Sequence, residues 1–359
     1  MRAVVAKFAL FGGVLLALSP CQAWAFAYSF AGDTYLDMVT HPIGYTGAGG
    51  ELTITVGIDP TSANAADMVI PTRNVIYTWN HLTPTTGNLN PSAIPSTSYD
   101  FESVLLHEMG HALGLTHPNL ATESGLSGSD QNYTKTTKGS NGSYDLGAGA
   151  DGWIGSADDL RGDDVNLNWF PTANNDPFTI AGTVDSTTYS RDIADLPGGD
   201  NFSTNPDRTV AEHVYGLLNT EGVMQQGTYN GETQRTLGHD DVAGIKYAMS
   251  GWDEQAGTAD DYTIQLTYAG LDATADIVLD FDDTKTSFAT TYTSASINTT
   301  TQHATISSGV QTYFATTPVT GYTWYYNTVL IPEPAATALG TALALGGVAW
   351  MRRRRGRSS

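Results

Sequence analysis

The residues best suited to chemistry lie in one eleven-residue stretch, 107–117, with the sequence HEMGHALGLTH. His107 and His111 are four positions apart, so on a helix both imidazoles face the same side and can bind one metal ion. Imidazole nitrogens suit zinc, and a catalytic zinc keeps one of four positions for water, which calls for a third protein ligand. His117 can supply it. Glu108 can then take a proton from a water molecule held at the zinc as that water attacks a carbonyl.

Gly114 explains how the chain can return to the ion. Glycine readily adopts the positive φ that ends a helix and reverses the chain. A residue three positions later, His117, can therefore approach the two helical histidines. The plain alternative is an ordinary core helix that carries this pattern by chance, but so many specified residues in one short window are rare by chance.

The pattern HExxHxxGxxH resembles the zinc signature of the metzincin metalloproteases. The resemblance implies that His107, His111 and His117 bind zinc and that Glu108 acts as the general base. It also implies a methionine-containing turn later in the chain, and a protein or peptide as the substrate.

Two later segments extend this resemblance. Residues 222–227, GVMQQG, resemble the methionine turn, in which Met224 would lie beneath the zinc; the plain alternative is a core methionine filling a gap in a loop. Residues 237–249 resemble the last catalytic-domain helix of the matrixins, with aspartates where the helix dipole favours them. The distance from His117 to Met224 is longer than in typical matrixins, which indicates an insertion over about 118–220.

The elements that hold the signature can be predicted from residue patterns. Residues 51–58 alternate apolar and polar side chains, and residues 69–79 are rich in β-branched and aromatic residues, so both are expected to be strands beside the signature helix. Asp100, alone or with Thr97 in a capping box, can begin that helix. The side of the helix opposite the ligands is predicted to be buried through Leu105, Leu106, Met109, Ala112 and Leu113.

Composition narrows the classes of partner. The chain has 359 residues, with 16 Lys and Arg against 37 Asp and Glu, a net charge of −21. Such a charge repels nucleic acid and anionic membrane surfaces. The single cysteine, Cys21, lies in the leader described next, so the exported protein would have no disulfide and no thiol ligand for zinc.

Both ends of the chain carry targeting patterns. Residues 1–25 have two basic residues, an apolar run and a small-x-small pattern, as in a secretory signal. Residues 331–359 combine Pro-Glu-Pro, an apolar stretch and four arginines, and resemble the PEP-CTERM sorting signal of Gram-negative bacteria. The resemblance implies transient attachment to the inner membrane, processing by an exosortase-type enzyme, and a final place at the cell surface or outside the cell. A permanent single-span anchor is the alternative.

The predicted insertion contains an acidic stretch with frequent glycines. Carboxylate oxygens on a tightly turning backbone suit calcium, which takes six to eight oxygen ligands, although the spacing is not that of an EF-hand loop. A solvated acidic loop is the alternative, because Asp and Gly are also common turn residues. His213 is interpreted as a surface or core histidine, because three zinc ligands are already supplied. The candidate calcium ligands are Asp151, Asp158, Asp159, Asp163 and Asp164.

The predicted fold class is α+β. After the leader we expect a metzincin-like catalytic domain over 26–257, with a twisted sheet, an active-site helix and a C-terminal helix. Alternating apolar residues over 258–330 predict a small β-sandwich-like module.

The predicted function is that of an exported zinc endopeptidase. An alternative from another class is a surface or biofilm-matrix binding protein that keeps the zinc fold with little or no proteolysis. A zinc hydrolase acting on non-peptide substrates is a third, weaker candidate.

Overall fold

The computed structural model describes residues 26–30, 38–118, 150, 152, 170–171, 189–190, 208, 211–212, 216–225 and 227–331. The predicted leader, the five candidate calcium ligands, His213 and the sorting segment beyond Ile331 lie outside these residues. Within the described ranges, no helix is long and apolar enough to span a membrane.

The described residues form a mixed α+β structure, as predicted. Its helices are α1 (Ala65–His81), α2 (Phe101–Ala112) and α3 (His239–Ala248). Its first eight strands are β1 (Ala27–Tyr28), β2 (Val39–His41), β3 (Gly50–Ile58), β4 (Leu89–Asn90), β5 (Ser98–Asp100), β6 (Leu115–Thr116), β7 (Phe170–Pro171) and β8 (Tyr189–Ser190). The remaining strands are β9 (Thr233–Gln234), β10 (Tyr262–Leu271), β11 (Ile277–Phe281), β12 (Ala289–Tyr292), β13 (Ala295–Asn298), β14 (His303–Ile306), β15 (Val310–Phe314) and β16 (Thr323–Tyr325).

The largest sheet has five strands in the order β10-β3-β11-β15-β12. The first four run parallel, and β12 is antiparallel to β15 at the edge. Helix α1 packs against β10 and α2, and α2 packs against β12 and β15. The signature helix therefore lies beside the antiparallel edge of the sheet, and the core is formed where the helices cover the strands.

The strands after residue 257 do not form a separate module, so that expectation is corrected. Strand β3, predicted at 51–58, pairs with β10 on one side and β11 on the other. Two further strands of the same region, β14 and β16, pair with β2 and β5. A period of two identifies a strand and its buried face, but it carries no information on which strand becomes the neighbour.

The prediction of a strand over 69–79 is wrong, because these residues lie within helix α1. Met68, Thr72, Val75 and Trp79 are buried and recur every three or four positions, the spacing of one helix face. Packing of that face outweighed the β propensity of the individual residues, which is a weak preference. The indole nitrogen of Trp79 donates to the carbonyl oxygen of Leu106 at 3.1 Å and so joins α1 to the signature helix.

The predicted start and buried side of α2 are confirmed. Asp100 is its N-cap, and the carboxylate accepts from the amide of Ser103 at 3.1 Å. The same carboxylate accepts two hydrogen bonds from Arg235, at 2.9 and 2.6 Å. Arg235 directly follows β9, so these bonds connect the end of that strand to the start of α2. The five residues predicted to form the buried side are all at most 1% exposed.

Candidate metal centre

The imidazoles of the signature meet at one point. The Nε2 atom of His117 lies 3.0 Å from Nε2 of His107 and 3.2 Å from Nε2 of His111. Ligand nitrogens about 2.0–2.1 Å from a tetrahedral zinc would be roughly 3.3–3.4 Å apart, so these separations are close to those of a zinc site. The donor set and its spacing therefore fit zinc.

The two helical histidines, His107 and His111, are each oriented by a hydrogen bond at Nδ1, the ring nitrogen that is not directed at the other histidines. Nδ1 of His107 lies 2.6 Å from the carbonyl oxygen of Val223, and Nδ1 of His111 lies 2.9 Å from that of Leu115. A carbonyl oxygen only accepts, so both Nδ1 atoms carry the proton and both Nε2 atoms present lone pairs when the rings are neutral. The lone pairs on these Nε2 atoms repel one another, and a bound cation would relieve that repulsion. A hydrogen bond at the nitrogen that does not bind the metal, as seen here at Nδ1, is the usual way in which a ligating histidine is held in place.

Desolvation keeps the rings of His107 and His117 neutral. It lowers the pKa of His107 to about 3, with a further contribution from the charge of His111. It also lowers the pKa of His117 well below the ordinary value. Only the neutral ring can bind a metal ion, so the surroundings favour the ligating form.

The turn that returns His117 to the helix depends on Gly114. Its φ is +109°, and a Cβ there would lie 2.8 Å from the carbonyl oxygen of Thr40, so glycine is required both for conformation and for space. The chain then forms β6, which pairs with β1, and His117 follows directly. Gly114 thus has the positive φ that was expected where the chain reverses.

Met224 lies against the signature helix. It is 3% exposed, and a Cβ added at Gly110, between the two helical histidines, would lie 2.2 Å from the Met224 sulfur. The loop that carries Met224 is held by Asp241 of α3, whose carboxylate accepts from the amides of Val223 at 2.8 Å and Met224 at 2.9 Å. Helix α3 thereby fixes both the methionine and the carbonyl that orients His107.

Glu108 is 5% exposed, and burial raises its pKa. Its carboxylate oxygen Oε2 accepts a hydrogen bond of 2.7 Å from the hydroxyl of Thr291 in β12. Sequence reasoning missed the contacts made by Thr291, by Asp241 and by the carbonyl of Val223, because each joins separate elements of the fold and no local pattern marks such a contact.

The histidines and Glu108 line a cleft of about 770 Å³. Strand β12 contributes residues 289–291 to its wall. Apolar side chains line another part of the cleft, among them Tyr99, Val104, Phe288 and Val319. The cleft can therefore hold a ligand whose polar backbone lies along β12 and whose apolar side chain lies against the apolar wall.

A second acidic group occurs in the loop before β10. Oxygens of Asp253, Asp260 and Asp261 lie within 4.8 Å of one another. Hydrogen bonds from the hydroxyl of Thr258 and from nearby backbone amides already engage these carboxylates. This group was not predicted from the sequence, and its hydrogen-bonded carboxylates account for the loop's turns without an ion.

Comparison of the chain with family models, with curated proteins and with solved structures gave no match. The chemistry proposed below is therefore argued from the sequence pattern and the geometry of the site.

Proposed function

We propose that this protein is a zinc-dependent endopeptidase of metzincin type. The observation that carries the proposal is the convergence of three histidine Nε2 atoms beside the carboxylate of Glu108 in one cleft. His107, His111 and His117 would hold the ion. When bound, zinc would supply Lewis acidity and lower the pKa of water.

Glu108 is suited to moving the proton. As a carboxylate in the cleft wall it can accept a proton from water that attacks a peptide carbonyl, and then donate that proton to the leaving amine. Burial raises its pKa toward the range in which one group can perform both transfers. The hydroxyl of Thr291 donates to Oε2, one of the two oxygens of this carboxylate.

The cleft favours an extended peptide as substrate. Strand β12 pairs with β15 through one edge, and in the described part of the chain its other edge has no strand partner. An exposed edge can accept an extended chain through backbone hydrogen bonds, which are independent of peptide sequence. The apolar part of the cleft, including Tyr99 and Phe288, would then select an apolar side chain next to the cleaved bond.

Cleavage of a mixed library of quenched fluorogenic peptides tests the proposal. The purified, zinc-loaded protein should cleave members with an apolar residue beside the cut bond. Glu108→Ala should retain zinc and fold but lose at least about a hundredfold in turnover, the usual range for loss of a general base. Glu51→Gln, at an exposed glutamate, is the control for charge loss.

Two outcomes would contradict this function. Equal hydrolysis by Glu108→Ala would mean that the activity has another source. Zinc binding without hydrolysis of any peptide would favour the alternative of a surface or matrix binding protein.

Export and sorting are proposed on sequence grounds alone. If the leader and the PEP-CTERM-like segment function as their patterns indicate, protein from the native host should lack the arginines of 352–355 and be found beyond the inner membrane. Intact-mass measurement tests this. A chain that ends at Ser359 and is recovered only with inner membrane would favour the permanent anchor.

A further inference from the structure

We propose that Thr291 is a positioning residue that orients the carboxylate of Glu108 and links the edge strand of the cleft to the base. The inference rests on the proposed function of Glu108. Thr291 lies in β12, 183 positions away along the chain, and both residues line the cleft.

The hydroxyl of Thr291 has one proton and two acceptors on Glu108 within reach. It lies 2.7 Å from Oε2 and 3.1 Å from the backbone carbonyl oxygen. The carboxylate is the closer acceptor and the one that can carry charge, so the proton points to Oε2. No other side chain in the described part of the chain donates to this carboxylate.

A second threonine extends this hydrogen bond into the sheet. Thr312 of β15 is directly opposite Thr291 in the antiparallel pair, and their hydroxyl oxygens are 3.0 Å apart. Thr312 is 1% exposed. Because the Thr291 hydroxyl donates its one proton to Glu108, its oxygen can accept a hydrogen bond from the hydroxyl of Thr312. The two hydroxyls and the carboxylate then form one chain of hydrogen bonds.

The contact matters because a glutamate has three rotatable side-chain bonds and only some of its conformations bring an oxygen to the reacting water. Holding Oε2 against Thr291 leaves Oε1 in a defined place. The residue that holds it belongs to the strand along which a peptide would lie, so the substrate and the base share one rigid support.

The test compares Thr291→Val, which keeps the shape but removes the hydroxyl, with Thr291→Ser, which retains it. For the library peptide cleaved fastest, Thr291→Val should lower kcat by about ten- to a hundredfold with KM within about twofold, the size expected when a base is misplaced. Thr291→Ser should recover most of kcat. Thr267→Val, in β10 at the opposite edge of the sheet, is the matched control and should behave as the unchanged protein.

Crystal structures of the protein and of Thr291→Val provide a readout that does not depend on activity. The Glu108 carboxylate should leave its position or occupy several positions in the variant. An unmoved carboxylate, or unchanged kcat in Thr291→Val, overturns the inference, and so does a Thr291→Ser variant as impaired as the valine variant. If Thr291→Val does not fold, Thr291→Ala against Thr291→Ser gives the same comparison. If the unchanged protein cleaves no peptide, the proposed function fails, and the carboxylate position alone decides the role of Thr291.

Discussion

His107 donates a hydrogen bond of 2.6 Å from Nδ1 to the carbonyl oxygen of Val223, a residue 116 positions later in the chain. The amide of Val223 in turn donates to Asp241 at 2.8 Å. Val223, in the loop that carries Met224, thus joins the signature helix α2 to helix α3. The orientation of a candidate metal ligand therefore depends on Asp241, a carboxylate that does not itself line the cleft.

Removal of the third histidine should weaken zinc binding. His117→Ala takes away one of three ligand nitrogens and should lower zinc affinity by more than about a hundredfold, because even outer-shell changes cost up to about that much. Zinc content after dialysis against a competing chelator measures this. His81→Ala, at an exposed histidine of α1, should keep full zinc. Full occupancy in His117→Ala would require another third ligand, with His213 the first to be examined.

A methyl group at Gly110 should disturb the methionine contact. Its Cβ would lie 2.2 Å from the Met224 sulfur and 3.3 Å from the Trp79 ring, so Gly110→Ala should lower the free energy of unfolding by about 1–3 kcal/mol despite the better helix propensity of alanine. Urea unfolding gives the value.

The double variant Gly110→Ala/Met224→Ala isolates this overlap. Shortening Met224 makes room for the new methyl group, so the double variant should lose less stability than the sum of the two single changes. Strict additivity would show that the overlap is relieved elsewhere.

The pH dependence of stability should contain a contribution from Asp241. Burial raises the pKa of Asp241 to about 6, from an ordinary value near 4. Between these two values the folded protein holds more protons at this group than the unfolded chain does. Its contribution to the free energy of unfolding therefore falls as pH rises from about 4 to about 6, and it stays lowered above that range.

Asp241→Asn removes this titration. The free energy of unfolding of the unchanged protein, relative to that of Asp241→Asn, should fall by about 2 kcal/mol between pH 4 and pH 6, since one pKa unit corresponds to about 1.4 kcal/mol. Urea unfolding of zinc-free protein at several pH values measures it. Asp67→Asn, at an exposed aspartate of α1, controls for the loss of one carboxylate. Parallel curves for the unchanged protein and Asp241→Asn would contradict the assignment.

Calcium should raise the melting temperature if the acidic stretch of the predicted insertion binds it. Binding would bring together carboxylates that repel one another and stabilise the folded state by mass action. The rise in millimolar calcium should be smaller in Asp158→Ala/Asp163→Ala. Equal melting in calcium and in a calcium-selective chelator, at fixed zinc, would favour the solvated acidic loop.

The sequence by itself determined the local parts of the candidate site. The spacing of His107 and His111, the cap at Asp100 and the turn at Gly114 act over a few residues, so helix geometry and glycine's conformational freedom suffice to predict them. The apolar side of α2 and the strand at 51–58 could be predicted for the same reason, because each follows from a periodic pattern within one element.

Only the tertiary structure decided which distant segments meet. It placed β3 between β10 and β11, made 69–79 a helix through burial of one face, and brought Thr291 to Glu108. These outcomes depend on strand partners and packing surfaces that are far apart in the chain, where a pattern identifies a face but not its neighbour. The candidate metal ligands therefore all lie within the eleven residues 107–117, while some of the groups that orient them come from the rest of the fold.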